Sequence, residues 1–258
     1  MMESDQTMPT PAQLLLAHPG QLRLQCTSYL LVGPEGLVLI DPGSCVGDEE
    51  IIRRLHAEGY AARDVRTVLL THCHVDHALA AGRWRERGAV LVATPYTAAV
   101  LRAGSREVWY EYPDYVFPTE VDREAADGEV LRLAGLEVQA LHTPGHTPGC
   151  ASYLVDTQHG LTAFTGDLLT NEGHPGWAGS VGFSAEQTLA SLERLLAAAP
   201  VRACWGHGVI EESAVTWIQR GIALGRAGQW VLDPDLHPDA GPEPGMSRRP
   251  SPPPPSPL

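Results

Sequence analysis

Residues 71–80 read THCHVDHALA, which sets His72, His74, Asp76 and His77 within six positions. Imidazole nitrogens and carboxylate oxygens are the ligands that Zn²⁺ and other first-row divalent ions take in proteins. Two histidines two apart on an extended loop can close on one ion. Asp76 and His77 then point to the other side and can hold a second. One H-x-H-x-D-H match carries a false-positive risk, so the rest of the chain must be consulted.

Three further signals follow: HTPGHTPG (142–149), TGD (165–167) and GHG (206–208). His146 would complete the first set and His207 the second. Asp167, with two oxygens, can bridge both ions. Two ions a few ångströms apart can hold a hydroxide between them at neutral pH, because metals lower the pKa of bound water to about 7. Gly145 and Gly149 permit the backbone angles that turn His146 inward. Cys73, between two ligands, reads as a buried thiol, and His174 as an ordinary loop histidine.

These residues must be carried by a framework, and the pattern supplies one. VRTVLLT (65–71) is an apolar, β-branched run that suits a buried strand and feeds directly into the histidines. Strands are also expected at 22–32, 37–41, 89–93, 150–156, 161–167 and 201–207, with a hairpin over 129–141. Helices are expected at 48–59, near 79–87, from Thr94-Pro95, and over 213–228. Ser184 and Gln187 form a capping-box start for another, whose Leu189, Leu192, Leu195 and Leu196 line one face. Ligand candidates thus follow several strands, as a site on one edge of a sheet layer requires.

The chain has 258 residues and a formal net charge of −13, which repels a phosphate backbone and disfavours nucleic-acid binding. Its N-terminus has no basic start, and the run LLLA is too short for a signal peptide or a membrane span. A cytoplasmic protein with a small-molecule substrate and no membrane partner is expected, as a monomer or homodimer. The five cysteines have wide spacings and no C-x-x-C pair, which argues against both disulfides and a thiolate zinc knuckle. Residues 231–258 are rich in proline and poor in large apolar side chains, the composition of a disordered tail.

The set HCHVDH, HTPGHTPG, TGD and GHG resembles the metallo-β-lactamase superfamily of metallohydrolases, over roughly residues 20–210. That resemblance implies an α/β fold, a four-layer αββα sandwich, with a two-metal site at the sheet edge. It implies 1–19 as an N-terminal extension, 20–230 as the catalytic domain and 231–258 as the tail. The first site would be His72, His74 and His146; the second Asp76, His77 and His207; Asp167 would bridge. The cofactor expected is two Zn²⁺ per chain, with iron or manganese as alternatives. Asp41, in DPG, matches a family aspartate that supports the site; a plain turn role is the competing reading. The family's ligand is the second histidine of HTPGH, so His142 reads as structural. Trp205 stands where the family often has proline.

Departures from subfamily patterns narrow the reaction. The family's true β-lactamases generally lack an acid at the place of Asp167. Glyoxalase II adds a helical domain for which too few residues follow His207. Lactonases share HTPGHTPG but usually carry a tyrosine three residues past the bridging aspartate, where this chain has Thr170. Persulfide dioxygenases share THCH-x-DH and PGHTPGC but carry a further stretch that is missing. The leading reading is hydrolysis of an ester, thioester or lactone by a metal-bridging hydroxide, with Asp76 as proton acceptor. The alternatives are a mononuclear iron persulfide dioxygenase and a non-catalytic scaffold. An aromatic segment at 107–117 (Trp109, Tyr110, Tyr112, Tyr115, Phe117) reads as either a substrate lid or a packed surface loop.

Overall fold

In a computed structural model, the protein is described at residues 11–19, 25–105, 107–108, 118–170, 173–208, 210–211 and 213–231. The aromatic residues of 109–117 and the tail beyond Val231 lie outside them.

Two six-stranded sheets each run in chain order. The first holds β1 (Gln13–Pro19), β2 (Thr27–Gly33), β3 (Gly36–Ile40), β4 (Val65–Leu69), β5 (Val90–Ala93) and β6 (Arg123–Glu124). The second holds β7 (Val130–Leu133), β8 (Leu136–His142), β9 (Ala151–Thr157), β10 (Gly160–Gly166), β11 (Arg202–Trp205) and β12 (Ile210–Glu211). Strands β3 to β6 are parallel, as are β10 and β11; the other neighbours are antiparallel. The helices are α1 (Cys45–Ala57), α2 (Val75–Ala78), α3 (Ala81–Glu86), α4 (Pro95–Ala103), α5 (Ala185–Ala197) and α6 (Ala214–Arg226).

Strand alternation sorts the apolar residues into three cores. Leu30, Leu39, Val68 and Leu91 meet Ile51 and Leu55 of α1, Trp84 of α3 and Leu101 of α4. The opposite faces, with Tyr29, Leu31, Val38, Ile40 and Val92, meet Val138, Tyr153, Val155 and Phe164 between the sheets. Leu154, Ala163, Ala203 and Trp205 meet Leu192 and Leu195 of α5 and Ile218 and Ile222 of α6. The architecture is the expected αββα sandwich. Strands buried on both faces read as continuous apolar runs, which is why VRTVLL carries no alternation.

Some boundaries differ from the sequence reading. The stretch 1–19, expected as an extension, contains β1, which pairs with β2 from Gln13 opposite Val32 to Pro19 opposite Thr27. Leu14 and Ala17 are buried in the sandwich, so QLLLA is an edge strand rather than a free arm. Helix α1 begins at Cys45, a turn before the expected start at Asp48. At α5 the capping box is half formed. Ser184 Oγ accepts the Gln187 N–H at 3.2 Å, while the Ser184 N–H goes instead to the Gly145 carbonyl at 2.8 Å. That second bond ties the helix start to the turn carrying His146.

Tyrosine hydroxyls lock the sheets together above the inner core. Tyr29 donates to the Trp205 carbonyl at 2.7 Å, and Tyr153 to the Leu70 carbonyl at 2.9 Å. Each crosses from one sheet to the strand end that leads into a histidine loop of the other. Tyr29→Phe should cost about 1–2 kcal/mol by leaving that buried carbonyl unpaired; urea unfolding with an unchanged m-value checks it.

Candidate metal centre

The loops that leave β4, β8, β10 and β11 converge at one edge of the sandwich. β4 ends at Leu69, and His72 and His74 lie on the extended segment before α2, which carries Asp76 and His77. His146 follows β8, Asp167 follows β10, and His207 follows β11. Backbone bonds staple these loops within each half, and one of them, from Thr27 to Gly206, joins the two sheets. Cys26 N–H meets the Asp76 carbonyl at 3.0 Å, Thr27 N–H the Gly206 carbonyl at 2.7 Å, and Gly206 N–H the Gly166 carbonyl at 2.8 Å.

All seven expected residues meet. His72, His74 and His146 form one cluster, and Asp76, His77, Asp167 and His207 another, with the donor atoms of each set within 4.8 Å of one another. His74 Nδ1 stands 2.9 Å from His146 Nε2, and His207 Nε2 2.9 Å from Asp76 Oδ2. Asp167 lies between the sets. Its Oδ1 is 3.3 Å from His77 Nε2; its Oδ2 is 3.5 Å from His146 Nε2, 3.6 Å from His207 Nε2 and 4.0 Å from His72 Nε2. The His207 side chain is 30% exposed and marks the open side, while the other six are buried.

The donor chemistry fits a cation. Nε2 of His72 and of His77 and Oδ1 of Asp167 are buried with no hydrogen-bond partner among the described residues. Orphaned buried polar atoms cost stability unless something binds them. The electrostatics agree. Burial, with His77 and His74 alongside, holds His72 well below the ordinary imidazole range. Burial and the neighbouring His146 push His74 down to about 3, and burial lowers His146 as well. These three are therefore neutral at pH 7, the form that ligates. Burial would also lower His207, but Asp167 and Asp76 outweigh it and raise its pKa. Burial would raise Asp76; the charge of His77 and the bond with His207 instead hold it at about 2. The field in the second set favours positive charge.

Asp41 settles the competing readings of DPG. Its backbone sits at φ +48°, a left-handed conformation rare outside glycine and asparagine-like residues. From there Oδ1 accepts the Thr71 N–H at 2.8 Å, and Oδ2 accepts the Thr71 hydroxyl at 2.6 Å and His77 Nδ1–H at 2.9 Å. The Thr71 hydroxyl, its proton given to Asp41, accepts His72 Nδ1–H at 3.1 Å. An ionised carboxylate can only accept. It therefore holds a proton on Nδ1 of both rings and turns both Nε2 atoms toward the cluster.

Several contributors were not visible in the sequence. Thr71 adjoins the motif, yet nothing in its position announces a relay. The Gly176 N–H meets the Asp167 carbonyl at 2.9 Å, and Ser180 Oγ donates to the His146 carbonyl. Gly206 is needed for space: a Cβ there would stand 2.1 Å from Asp167 Oδ1 and 2.7 Å from His77 Cε1. His142 is structural, its Nε2 3.0 Å from the Ala125 carbonyl. His174 lies outside both clusters, and its Nδ1 accepts the Val231 N–H at 3.1 Å. Thr170 gives its N–H and its hydroxyl to the His174 carbonyl, at 2.7 and 3.0 Å. Cys73 is buried and belongs to neither donor set.

This fold and this donor set define a metallohydrolase class. The chain belongs to the metallo-beta-lactamase superfamily, whose sequence model matches residues 22–207. It is a hydrolase of that superfamily. It is 29% identical over 203 residues to an N-acyl homoserine lactonase of Bacillus cereus, covering 69% of this chain and 78% of that protein. It is 28% identical over 224 residues to an atrochrysone carboxyl ACP thioesterase of Aspergillus fumigatus, covering 85% of this chain and 62% of that one. Among solved structures it resembles a metallo-beta-lactamase of Cronobacter sakazakii with a HARLDQ motif, at a TM-score of 0.66 and 26% identity, covering 84% and 95% of the two chains. No helix among the described residues is long and apolar enough to cross a membrane.

Asp41→Asn should weaken metal binding by about 10–100-fold, the usual effect of losing a ligand's supporting hydrogen bond. Competition with a chromophoric chelator measures it. Gly206→Ala should lose at least as much by displacing Asp167 and His77, with far-UV circular dichroism unchanged.

Proposed function

We propose that the protein is a dinuclear, zinc-dependent hydrolase of a carboxylic ester, thioester or lactone. The observation that carries this reading is the convergence of two donor sets on one shared carboxylate, with unpartnered Nε2 and Oδ1 atoms facing inward. The naming of relatives as a lactonase and a thioesterase supports the carbonyl substrate class. Ions held by His72, His74 and His146 on one side and Asp76, His77 and His207 on the other, with Asp167 between, would activate water and polarise the substrate carbonyl.

The chain's own residues do the rest. Neutral imidazoles in the first set present lone pairs without having to lose a proton. Asp41 keeps His77 from rotating directly and His72 through Thr71. The half-exposed His207 lies where substrate enters. Asp76, held ionised, bonds His207 at 2.9 Å and sits at the mouth of the second set. It takes the proton released when the carbonyl carbon is attacked and can return it to the leaving group. No serine or cysteine nucleophile is needed, and the two donor sets contain neither. Thr170, buried and donating to His174, offers no hydroxyl to a substrate oxygen; polarisation of the carbonyl rests on the metal centre.

His72→Ala and Asp167→Asn should each abolish turnover across a panel of esters, thioesters and lactones while the fold persists. Chelation should remove activity and zinc should restore it. Full activity in either variant, or in thoroughly metal-stripped protein, would sink the hydrolase reading. One iron per chain with oxygen consumption on a glutathione persulfide would replace it with the dioxygenase.

A further inference from the structure

A third donor cluster stands behind the second metal set. Cys26, Asp41 and His77 are all buried and offer a sulfur, an oxygen and a nitrogen within 4.8 Å of one another. The nitrogen here is the far side of the His77 ring: Nδ1 faces Asp41 Oδ2 at 2.9 Å, while Nε2 faces Asp167 and Asp76. The Cys26 sulfur also lies 3.5 Å from the Asp41 carbonyl oxygen, a fourth candidate donor. Bond lengths of about 2.0 Å to nitrogen and oxygen place two ligands of a tetrahedral ion about 3.3 Å apart. The Nδ1 and Oδ2 atoms need only a few tenths of an ångström of expansion to reach that.

We propose that Cys26, Asp41 and His77 form a site for one thiophilic divalent ion, cadmium or excess zinc, with His77 shared as a bridging imidazolate. As the ion enters, a bond forms to Cys26 Sγ and the thiol proton leaves to solvent. A second bond forms to His77 Nδ1, whose proton likewise leaves. Asp41 remains a carboxylate and exchanges its contact with Nδ1–H for the ion, while Thr71 still holds it through both oxygens. No electrons are transferred. Thiolate selects Zn²⁺ and softer ions over Mg²⁺ or Mn²⁺. Occupation removes the hydrogen bond that orients His77 and sets a further positive charge beside the second donor set, so the ion acts as a brake under metal excess. Only that inhibitory consequence rests on the proposed hydrolase function; binding itself does not.

The test is titration of the metal-free full chain with cadmium, read by ultraviolet absorption and by bound metal after desalting. The wild-type chain should take up one equivalent more than Cys26→Ser. That last equivalent should bring a thiolate-to-cadmium charge-transfer band that Cys26→Ser and Asp41→Asn both lose. Should Cys26→Ser not fold, Cys26→Ala is read in the same way. No band in the wild-type chain, or a band that survives in the Cys26 variant and so belongs to Cys45, Cys73, Cys150 or Cys204, overturns the site. If the band behaves as expected but excess cadmium leaves turnover untouched, the site stands and the brake is overturned.

Discussion

One buried carboxylate organises the centre. Asp41 reaches two loops at once: through the Thr71 hydroxyl it fixes His72 of the first donor set, and directly it fixes His77 of the second. Both rings thereby keep a proton on Nδ1 and present the same nitrogen inward. A carboxylate in that position costs desolvation and backbone strain, since Asp41 adopts a positive φ. Three accepted hydrogen bonds, two from Thr71 and one from His77, offset the first. The second is tolerated because β3 and β4 are parallel neighbours and the Asp41 N–H closes on the Leu69 carbonyl at 2.9 Å. Strain of this kind persists only where the surroundings over-determine it.

The sandwich exists to bring four loop exits to one edge. Neither sheet contains a complete donor set. The first supplies His72, His74, Asp76 and His77 from the end of β4; the second supplies His146, Asp167 and His207 from the ends of β8, β10 and β11. The inner core and the two tyrosine hydroxyls fix the distance between the halves. Glycine at 206 then lets the β11 exit approach until its backbone touches the Asp167 carboxylate.

The donor set was legible in the sequence because its residue types are rare in combination and its spacing is local: HCHVDH lies on one loop, and HTPGH, TGD and GHG are each compact. Individual strands were legible because VRTVLL and its fellows are apolar runs, while the four-layer arrangement followed only from the resemblance to the family. What was hidden is what depends on distance across the chain. Thr71 acts through Asp41, thirty positions away. Ser180 and Gly176 act through backbone groups of His146 and Asp167, and backbone acceptors leave no mark on residue type. β1 leaves a weak mark because its apolar run is short and the partner that makes it a strand follows a break in the pattern.

The strand order has a consequence in time. Each sheet runs in chain order, so each half is assembled from contacts between neighbours in sequence, which form quickly. His207 and Asp76, by contrast, are 131 positions apart. Each donor set draws residues from both halves, so it exists only when the halves are docked. An ion that binds the docked state and not the separate halves leaves the folding rate nearly untouched and slows unfolding instead. The metal is then less a builder of the fold than a latch on it, setting how long the protein lasts rather than how fast it is made.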